Sequence, residues 1–99
     1  MGDFNDELVD NNNIFEVFLN NPNNYMFTDL EIAEGASQYW SFPSWPSHLD
    51  HILITNELFD NETLTSTIFL DLSLIGGLGT YDNYISDHRP VGISLNLVP

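Results

Sequence analysis

Three short segments of this 99-residue sequence combine residue types that could carry out metal-assisted phosphate chemistry. Gly-Asp-Phe-Asn stands at residues 2–5, Ser-His-Leu-Asp-His-Ile-Leu-Ile at 47–54, and Ser-Asp-His-Arg-Pro-Val at 86–91. Each segment places a carboxylate where an apolar stretch starts or ends, so a strand would anchor the segment and present the carboxylate at its rim. Rims of this kind can converge on one metal ion and one phosphate group.

The elements that would position these groups are mainly strands. Residues 51–55 are almost wholly apolar, which predicts a strand buried on both faces. Residues 91–97 alternate between apolar and small or polar side chains, which predicts a strand with one buried face. We also expect strands within 37–42 and over 63–72, and a flexible loop at the glycine-rich stretch 76–79.

Helices are indicated at two places. The apolar spacing within residues 14–19 favours a short helix over a strand. Thr28 followed by Glu31 fits a capping box, and Gly35 fits the end of a helix over 29–34. We find no internal repeat and no linker, so the chain is at most one domain.

Composition excludes several classes of protein. The chain has 15 acidic side chains and one basic one, Arg89, for a net charge of −14, so it offers no basic patch for nucleic acid or an anionic membrane. Its apolar content of 42% argues against a disordered acidic tail. Cysteine is absent, which rules out disulfides and thiol chemistry, and no apolar run of membrane-spanning length exists. The first residues lack the features of a signal peptide, so the localisation is left open.

Taken together and in this order, the three segments resemble the endonuclease/exonuclease/phosphatase superfamily, the deoxyribonuclease-I-like enzymes. The resemblance spans residues 2–97. It implies an α+β fold, the C-terminal half of a four-layer α/β/β/α sandwich made mostly of β-strands with short helices. Residues 1–99 would then be one half-domain whose N-terminal half is absent from this sequence, as in a truncated reading frame. We expect such a half to need a complementary fragment or to associate with itself.

The resemblance also implies metal-dependent hydrolysis of phosphoesters and a set of residue roles. Asp3 would orient or deprotonate the attacking water and, with Asp87, hold a divalent metal: Mg²⁺, or else Mn²⁺ or Ca²⁺. Asn5 would donate to the phosphate, His88 would be the acid/base that contacts the phosphate, and Asp50 would pair with His88. The substrate could be DNA, RNA or a small phosphodiester. By itself this fragment would be inactive.

Elementary chemistry agrees with these roles. Asp50 directly precedes the buried stretch, where an unpaired carboxylate is costly, and His88 is its natural partner. A carboxylate bonded to one nitrogen of His88 would fix the tautomer and raise the pKa of the imidazole. Magnesium prefers carboxylate oxygens and keeps several waters, so few protein ligands suffice.

Other interpretations remain open at this point. His48 and His51 could be zinc ligands, although no third ligand is evident. Arg89 could be a salt-bridge partner or a phosphate contact. The aromatic residues between the first two helices and the buried strand could pack the core, brace a loop over the site or stack on a base; they are Tyr39, Trp40, Phe42 and Trp45.

Two other classes of function compete with the hydrolase. One is a non-catalytic remnant or interaction module that keeps the fold. The other is an acidic calcium-binding module, which the absence of an Asp-x-Asp-x-Asp-Gly loop disfavours.

Overall fold

A computed structural model describes residues 1–11 and 13–97 of the chain. Short helices and three two-stranded antiparallel sheets give it an α+β architecture. The strands are β1 (Gly2–Asp3), β2 (Tyr25–Phe27), β3 (Asp50–His51), β4 (Leu53–Thr55), β5 (Glu62–Thr67) and β6 (Val91–Leu95). The helices are α1 (Glu16–Leu19), α2 (Leu30–Glu34) and α3 (Gly77–Tyr84), with 3₁₀ turns at Ser37–Tyr39, Asn56–Leu58 and Leu70–Ser73. Within the described ranges, no helix is long and apolar enough to cross a membrane.

The strands pair β1 with β3, β2 with β4, and β5 with β6. In the first pair, Gly2 lies opposite His51 and Asp3 lies opposite Asp50. The pairing continues past the strand because the Phe4 N–H donates to the carbonyl oxygen of Leu49 at 3.0 Å. The first and second sequence segments are therefore joined at their backbones.

A core of aromatic side chains packs against the β1–β3 pair. Phe15 is buried and packs edge-on against Phe27, with ring centroids 5.2 Å apart. Its ring also lies 5.7 Å from that of Phe4, so the residue that follows Asp3 is tied to the core. Leu8 and Ala33 complete the buried cluster. The helix predicted within residues 14–19 is present as α1.

The strand predicted within 37–42 is wrong, and the strand predicted over 63–72 is too long. Ser37–Tyr39 forms a 3₁₀ turn, and the following Trp40 is held by its side chain, whose Nε1–H donates to the Ile32 carbonyl oxygen at 2.9 Å. The strand predicted over 63–72 corresponds to β5, which ends at Thr67. Beyond β5 the chain forms the 3₁₀ turn Leu70–Ser73, and the Asp71 carboxylate in this turn accepts from Arg89 Nη2 at 3.0 Å.

The loop predicted at 76–79 is also wrong, because α3 begins there. Gly76 has a left-handed backbone with φ of 89°, and a Cβ at this position would lie 2.2 Å from Thr80 Oγ1. Glycine therefore serves the start of this helix, although it is a poor helix former inside one. The helix is held in place by Tyr81, whose buried side chain donates from its hydroxyl to the His88 carbonyl oxygen at 2.8 Å.

Two smaller expectations differ from the structure. The helix predicted over 29–34 is present at Leu30–Glu34, but its capping residue Asp29 makes no side-chain cap bond and Thr28 Oγ1 is buried with no partner among the described residues. The capping box expected from Thr28 and Glu31 is therefore not formed, and the residue at the N-cap is Asp29 instead of Thr28. The last strand ends at Leu95, and its apolar side chains are half-buried or exposed rather than fully buried.

Candidate functional site

The centre of the site is a hydrogen bond between His88 and Asp50. His88 Nδ1 lies 2.6 Å from Asp50 Oδ2, and both side chains are largely shielded from solvent. The pairing expected from the sequence is thus present across 38 positions of the chain. Asp50 lies at the start of β3. His88 lies in the turn before β6, where its backbone N–H donates to Ser86 Oγ at 3.0 Å.

Two more carboxylates face the other nitrogen of the same ring. His88 Nε2 lies 3.8 Å from Asp3 Oδ2 and 4.0 Å from Asp87 Oδ1. Asp3 is 50% exposed and Asp87 is 65% exposed, so both open to solvent. Their carboxylates and the imidazole therefore border one solvent-facing site.

Asn5 lies beside this site in a left-handed backbone conformation, with φ of 54°. Asparagine tolerates this conformation better than most residues. The geometry brings the Asn5 N–H back to Asp3 Oδ1, to which it donates at 2.9 Å. This bond orients the Asp3 carboxylate, whose Oδ2 faces His88.

The pKa of His88 is raised above its ordinary value. Burial alone would lower the pKa, but the hydrogen bond from His88 to Asp50 and the negative charges of Asp50, Asp3 and Asp87 raise it by more. His88 therefore keeps its second ring proton to a higher pH than a free histidine does, and the Nε2–H of that form faces the open side of the site.

Three side chains of the site are close enough to hold a metal ion together. Ligand atoms of Asp3, Asp50 and His88 lie within 4.8 Å of one another. Asp50 and His88 are already bonded to each other through Oδ2 and Nδ1. The carboxylates that remain open to solvent are those of Asp3 and Asp87, and carboxylate oxygens with retained waters suit Mg²⁺.

A hairpin over residues 42–47 forms one wall of the site. Phe42 and Ser47 exchange two backbone hydrogen bonds, and the Phe42 ring lies 5.1 Å from the His88 ring. Trp45, at the tip, is 79% exposed, so it does not pack the core. Ser41, at the base of this hairpin, was not found from the sequence; its Oγ accepts from the Asp50 N–H at 3.2 Å and holds the start of β3.

A second polar cluster, which we call the buried network, comprises Asp29, His48 and His51. His48 Nδ1 accepts from the Ser41 N–H at 3.2 Å, so its proton is on Nε2, which donates to Asp29 Oδ2 at 2.9 Å. A metal bound at Nε2 would move that proton to Nδ1, where it would face the Ser41 N–H. Asp29 supplies the third ligand that the sequence did not reveal, and the ligand atoms of the three residues lie within 4.8 Å of one another. The position of the His48 proton nevertheless argues against a zinc ion at Nε2.

Asp29 was missed by the sequence analysis because it was assigned to the first helical residues. A signal was present: an aspartate before a short helix, and two histidines three positions apart beside a buried strand. Buried polar groups need partners, so this combination could have indicated a buried ion pair.

Arg89 is committed to structure rather than to the site. Its Nε and Nη2 donate to the two oxygens of Asp71, at 3.2 and 3.0 Å. Its guanidinium carbon lies 4.7 Å from the centre of the Phe69 ring, and the residue is nearly fully buried. Of the two alternatives left open, the salt bridge is the one observed.

Comparison with known proteins adds no relative. No protein-family model, curated protein or solved structure matches the chain. The case for a function therefore depends on the geometry of the site and on the resemblance of its three segments to a known family.

Proposed function

We propose that this chain contributes the Asp3–Asp50–Asp87–His88 site of a metal-dependent phosphoester hydrolase similar to the endonuclease/exonuclease/phosphatase superfamily. The observation that carries the proposal is the 2.6 Å bond between His88 Nδ1 and Asp50 Oδ2, with Asp3 Oδ2 3.8 Å from the opposite nitrogen. Residues that resemble the family's three segments are far apart in sequence and adjacent in space.

The reaction we propose is attack of water on a phosphodiester. The water oxygen forms a new P–O bond as the ester P–O bond breaks. The leaving oxygen takes a proton from solvent, and the products are a phosphomonoester and an alcohol. Asp3 accepts a proton from the water, and the half-exposed position of its carboxylate leaves space for that water beside Oδ2. A divalent cation held by Asp3 and Asp87 would supply neutralisation of the charge that develops on the phosphoryl oxygens.

His88 supplies the complementary group. Its Nδ1 is engaged by Asp50, which fixes the ring so that Nε2 faces the open side of the site. As an imidazolium, its Nε2–H donates to a phosphoryl oxygen and stabilises the additional negative charge of the transition state. Asn5 is neutral and can donate to the same phosphate without competing for the cation.

Charge favours a small phosphodiester over a long nucleic acid. The one basic side chain, Arg89, is buried against Asp71, and the chain carries a net charge of −14. Affinity for a nucleic-acid backbone comes largely from basic side chains that displace counterions. Substrate binding would instead depend on the cation, His88 and Asn5.

The test is hydrolysis of bis(4-nitrophenyl) phosphate by the full chain with and without Mg²⁺ or Mn²⁺, followed by release of 4-nitrophenolate. The carboxylates of Asp3, Asp50 and Asp87 and the His88 imidazole already lie together within this chain. Contrary to the inactive fragment that the resemblance implies, we therefore expect metal-dependent turnover that falls by about 10²–10³ in His88→Ala, the usual cost of losing one donor that stabilises a transition state. Asp60→Asn changes an exposed carboxylate outside the site and should leave the rate unchanged.

Two other results would be informative. Equal rates in the wild type and His88→Ala would refute the assignment of the site. Metal binding at Asp3 and Asp87 without any turnover would favour the alternative, a non-catalytic module that keeps the arrangement.

A further inference from the structure

His51 has a hydrogen-bond acceptor at each of its two ring nitrogens. Nδ1 lies 2.6 Å from Asp29 Oδ2, and Nε2 lies 2.7 Å from the backbone carbonyl oxygen of Asp6. A carbonyl oxygen accepts only, and a carboxylate accepts only. Both nitrogens of His51 must therefore donate, which requires a buried imidazolium.

Asp29 is the counterion. Its Oδ1 accepts from the Ile52 N–H at 2.9 Å, and its Oδ2 accepts from both His48 and His51. Burial alone would raise the pKa of Asp29, but these hydrogen bonds lower it below its ordinary value, so the carboxylate is ionised. Asp29 and His51 thus form a neutral pair of opposite charges inside the chain.

His51 holds the turn at residues 3–6 at both of its ends. Its backbone lies opposite Gly2 in the β1–β3 pair, and its ring binds the carbonyl group of Asp6. The Phe4 ring, between these two points, lies 5.8 Å from the His51 ring. Asp3 and Asn5 belong to this turn, and Asp50 is the residue directly before His51.

We propose that His51 is a positioning residue for the candidate site, with its doubly protonated ring holding the turn at 3–6 so that Asp3 and Asn5 face Asp50 and His88. The significance for catalysis rests on the function proposed above. Without the Nε2–H of His51, the Asp6 carbonyl group loses its hydrogen-bond partner. The distance between the turn at 3–6 and Asp29 is then no longer fixed.

His48 offers a matched control inside the same buried network. It is as buried as His51 and donates to the same oxygen of Asp29, but its other ring partner is the Ser41 N–H. The hydrogen bonds of its ring go to Asp29 and Ser41, which lie outside the turn at 3–6. Substitution of His48 therefore reproduces the damage to the network without the loss of the Asp6 contact.

The first measurement needs no substitution. In the ¹⁵N-labelled wild-type chain, long-range ¹H–¹⁵N spectra of the histidine rings should show two protonated nitrogens for His51 below neutral pH. A single protonated nitrogen on His51 would overturn the proposal. This measurement tests the doubly protonated state of His51, which the proposal requires, even if the variants described next do not fold.

The second measurement compares His51→Phe with His48→Phe under conditions where circular dichroism shows each to be folded. The readouts are the backbone amide shifts of Asp3, Asn5 and Asp6 and the affinity for Mn²⁺, followed by paramagnetic broadening. We expect His51→Phe to move these amides and to weaken Mn²⁺ binding by about 10- to 100-fold, as loss of a group that supports metal ligands does. His48→Phe should leave these amides in place. It also removes the acceptor of the Ser41 N–H, and Ser41 holds the Asp50 N–H, so the amides of Asp3, Asn5 and Asp6 are the readout that separates the two variants.

Unchanged amides in His51→Phe, or equal changes in both variants, would refute the positioning role. If the wild type binds no Mn²⁺ near Asp3, the metal site of the proposed function fails, while the amide shifts still report whether His51 holds the turn. The two proposals therefore fail in distinguishable ways.

Discussion

The guanidinium of Arg89 and the carboxylate of Asp71 form a buried, bidentate ion pair. Nε donates to Oδ1 at 3.2 Å, and Nη2 donates to Oδ2 at 3.0 Å. Arg89 Nη1 also donates to the Gln38 carbonyl oxygen at 3.3 Å, so the pair connects the turn before β6 with two 3₁₀ turns. Because Arg89 directly follows His88, this ion pair also fixes the backbone that carries the candidate catalytic histidine.

Asp71→Asn should destabilise the chain strongly. It leaves a buried guanidinium without its counter-charge, and breaking such a pair from one side costs about 3–5 kcal/mol. Urea unfolding followed by circular dichroism measures this loss. Glu34→Gln, which changes an exposed acid at the end of α2, should leave the midpoint nearly unchanged. A small effect of Asp71→Asn would show that Arg89 finds other acceptors or solvent.

The sequence could identify the candidate site because its residues lie in short segments next to strands. Asp50 and His88 meet as expected, since a carboxylate beside a buried strand needs a partner. Asp3 and Asp87 are brought to the same imidazole. Their roles in catalysis stay a prediction.

Much of the surrounding fold could not be predicted, because tertiary contacts outweigh local propensity there. Glycines made α3 look like a loop, yet the bond from Tyr81 to the His88 carbonyl group stabilises a helix at that place. The aromatic residues near Trp40 suggested a strand, but a side-chain bond to Ile32 fixes a 3₁₀ turn instead. The charge state of His51 depends on Asp6 and Asp29, which are remote in sequence.

A pair of glycine substitutions should separate backbone strain from helix propensity in α3. Gly76→Ala should destabilise the chain by about 1–2 kcal/mol or more, because alanine is strained at the left-handed φ of 89° and its Cβ would collide with Thr80 Oγ1. Gly79→Ala lies in the helix with open space around its Cβ position and should stabilise by about 0.5–1 kcal/mol. Thermal melts of both variants give the signs. Equal signs would contradict the assignment of Gly76 to a left-handed helix start.

Loss of either carboxylate proposed as a metal ligand should weaken cation binding. Asp3→Asn and Asp87→Asn each remove one unit of negative charge, which at about 4 Å from a divalent ion in water is worth about 2 kcal/mol, or on the order of tenfold in affinity or more. Titration calorimetry with Mg²⁺ or Mn²⁺ measures the effect. Asp60→Asn carries the same change in net charge at an exposed position away from the site and controls for long-range electrostatics. If all three variants lose affinity equally, the metal is not bound at this site.

The buried network predicts a stability maximum in mildly acidic solution. The pKa of His51 is raised, because its hydrogen bonds to Asp29 and Asp6 outweigh the opposing effect of burial. Its contribution is therefore complete below the unfolded-state pKa of about 6.5 and is lost as the pH rises through the higher folded-state pKa. The pKa of Asp29 is lowered, so its contribution is complete above about 3.9 and is lost as the pH falls through the lower folded-state pKa.

Urea midpoints measured from pH 3 to pH 9 should therefore be highest between about pH 4 and 6.5. The raised pKa of His88 acts in the same direction as that of His51, so variants must separate the two groups. In His88→Gln, the urea midpoint should still fall at alkaline pH, but by less than in the wild type. In the His51→Gln, His88→Gln double variant, most of this alkaline fall should be absent. An alkaline loss that persists in the double variant would show that groups other than these two histidines cause it.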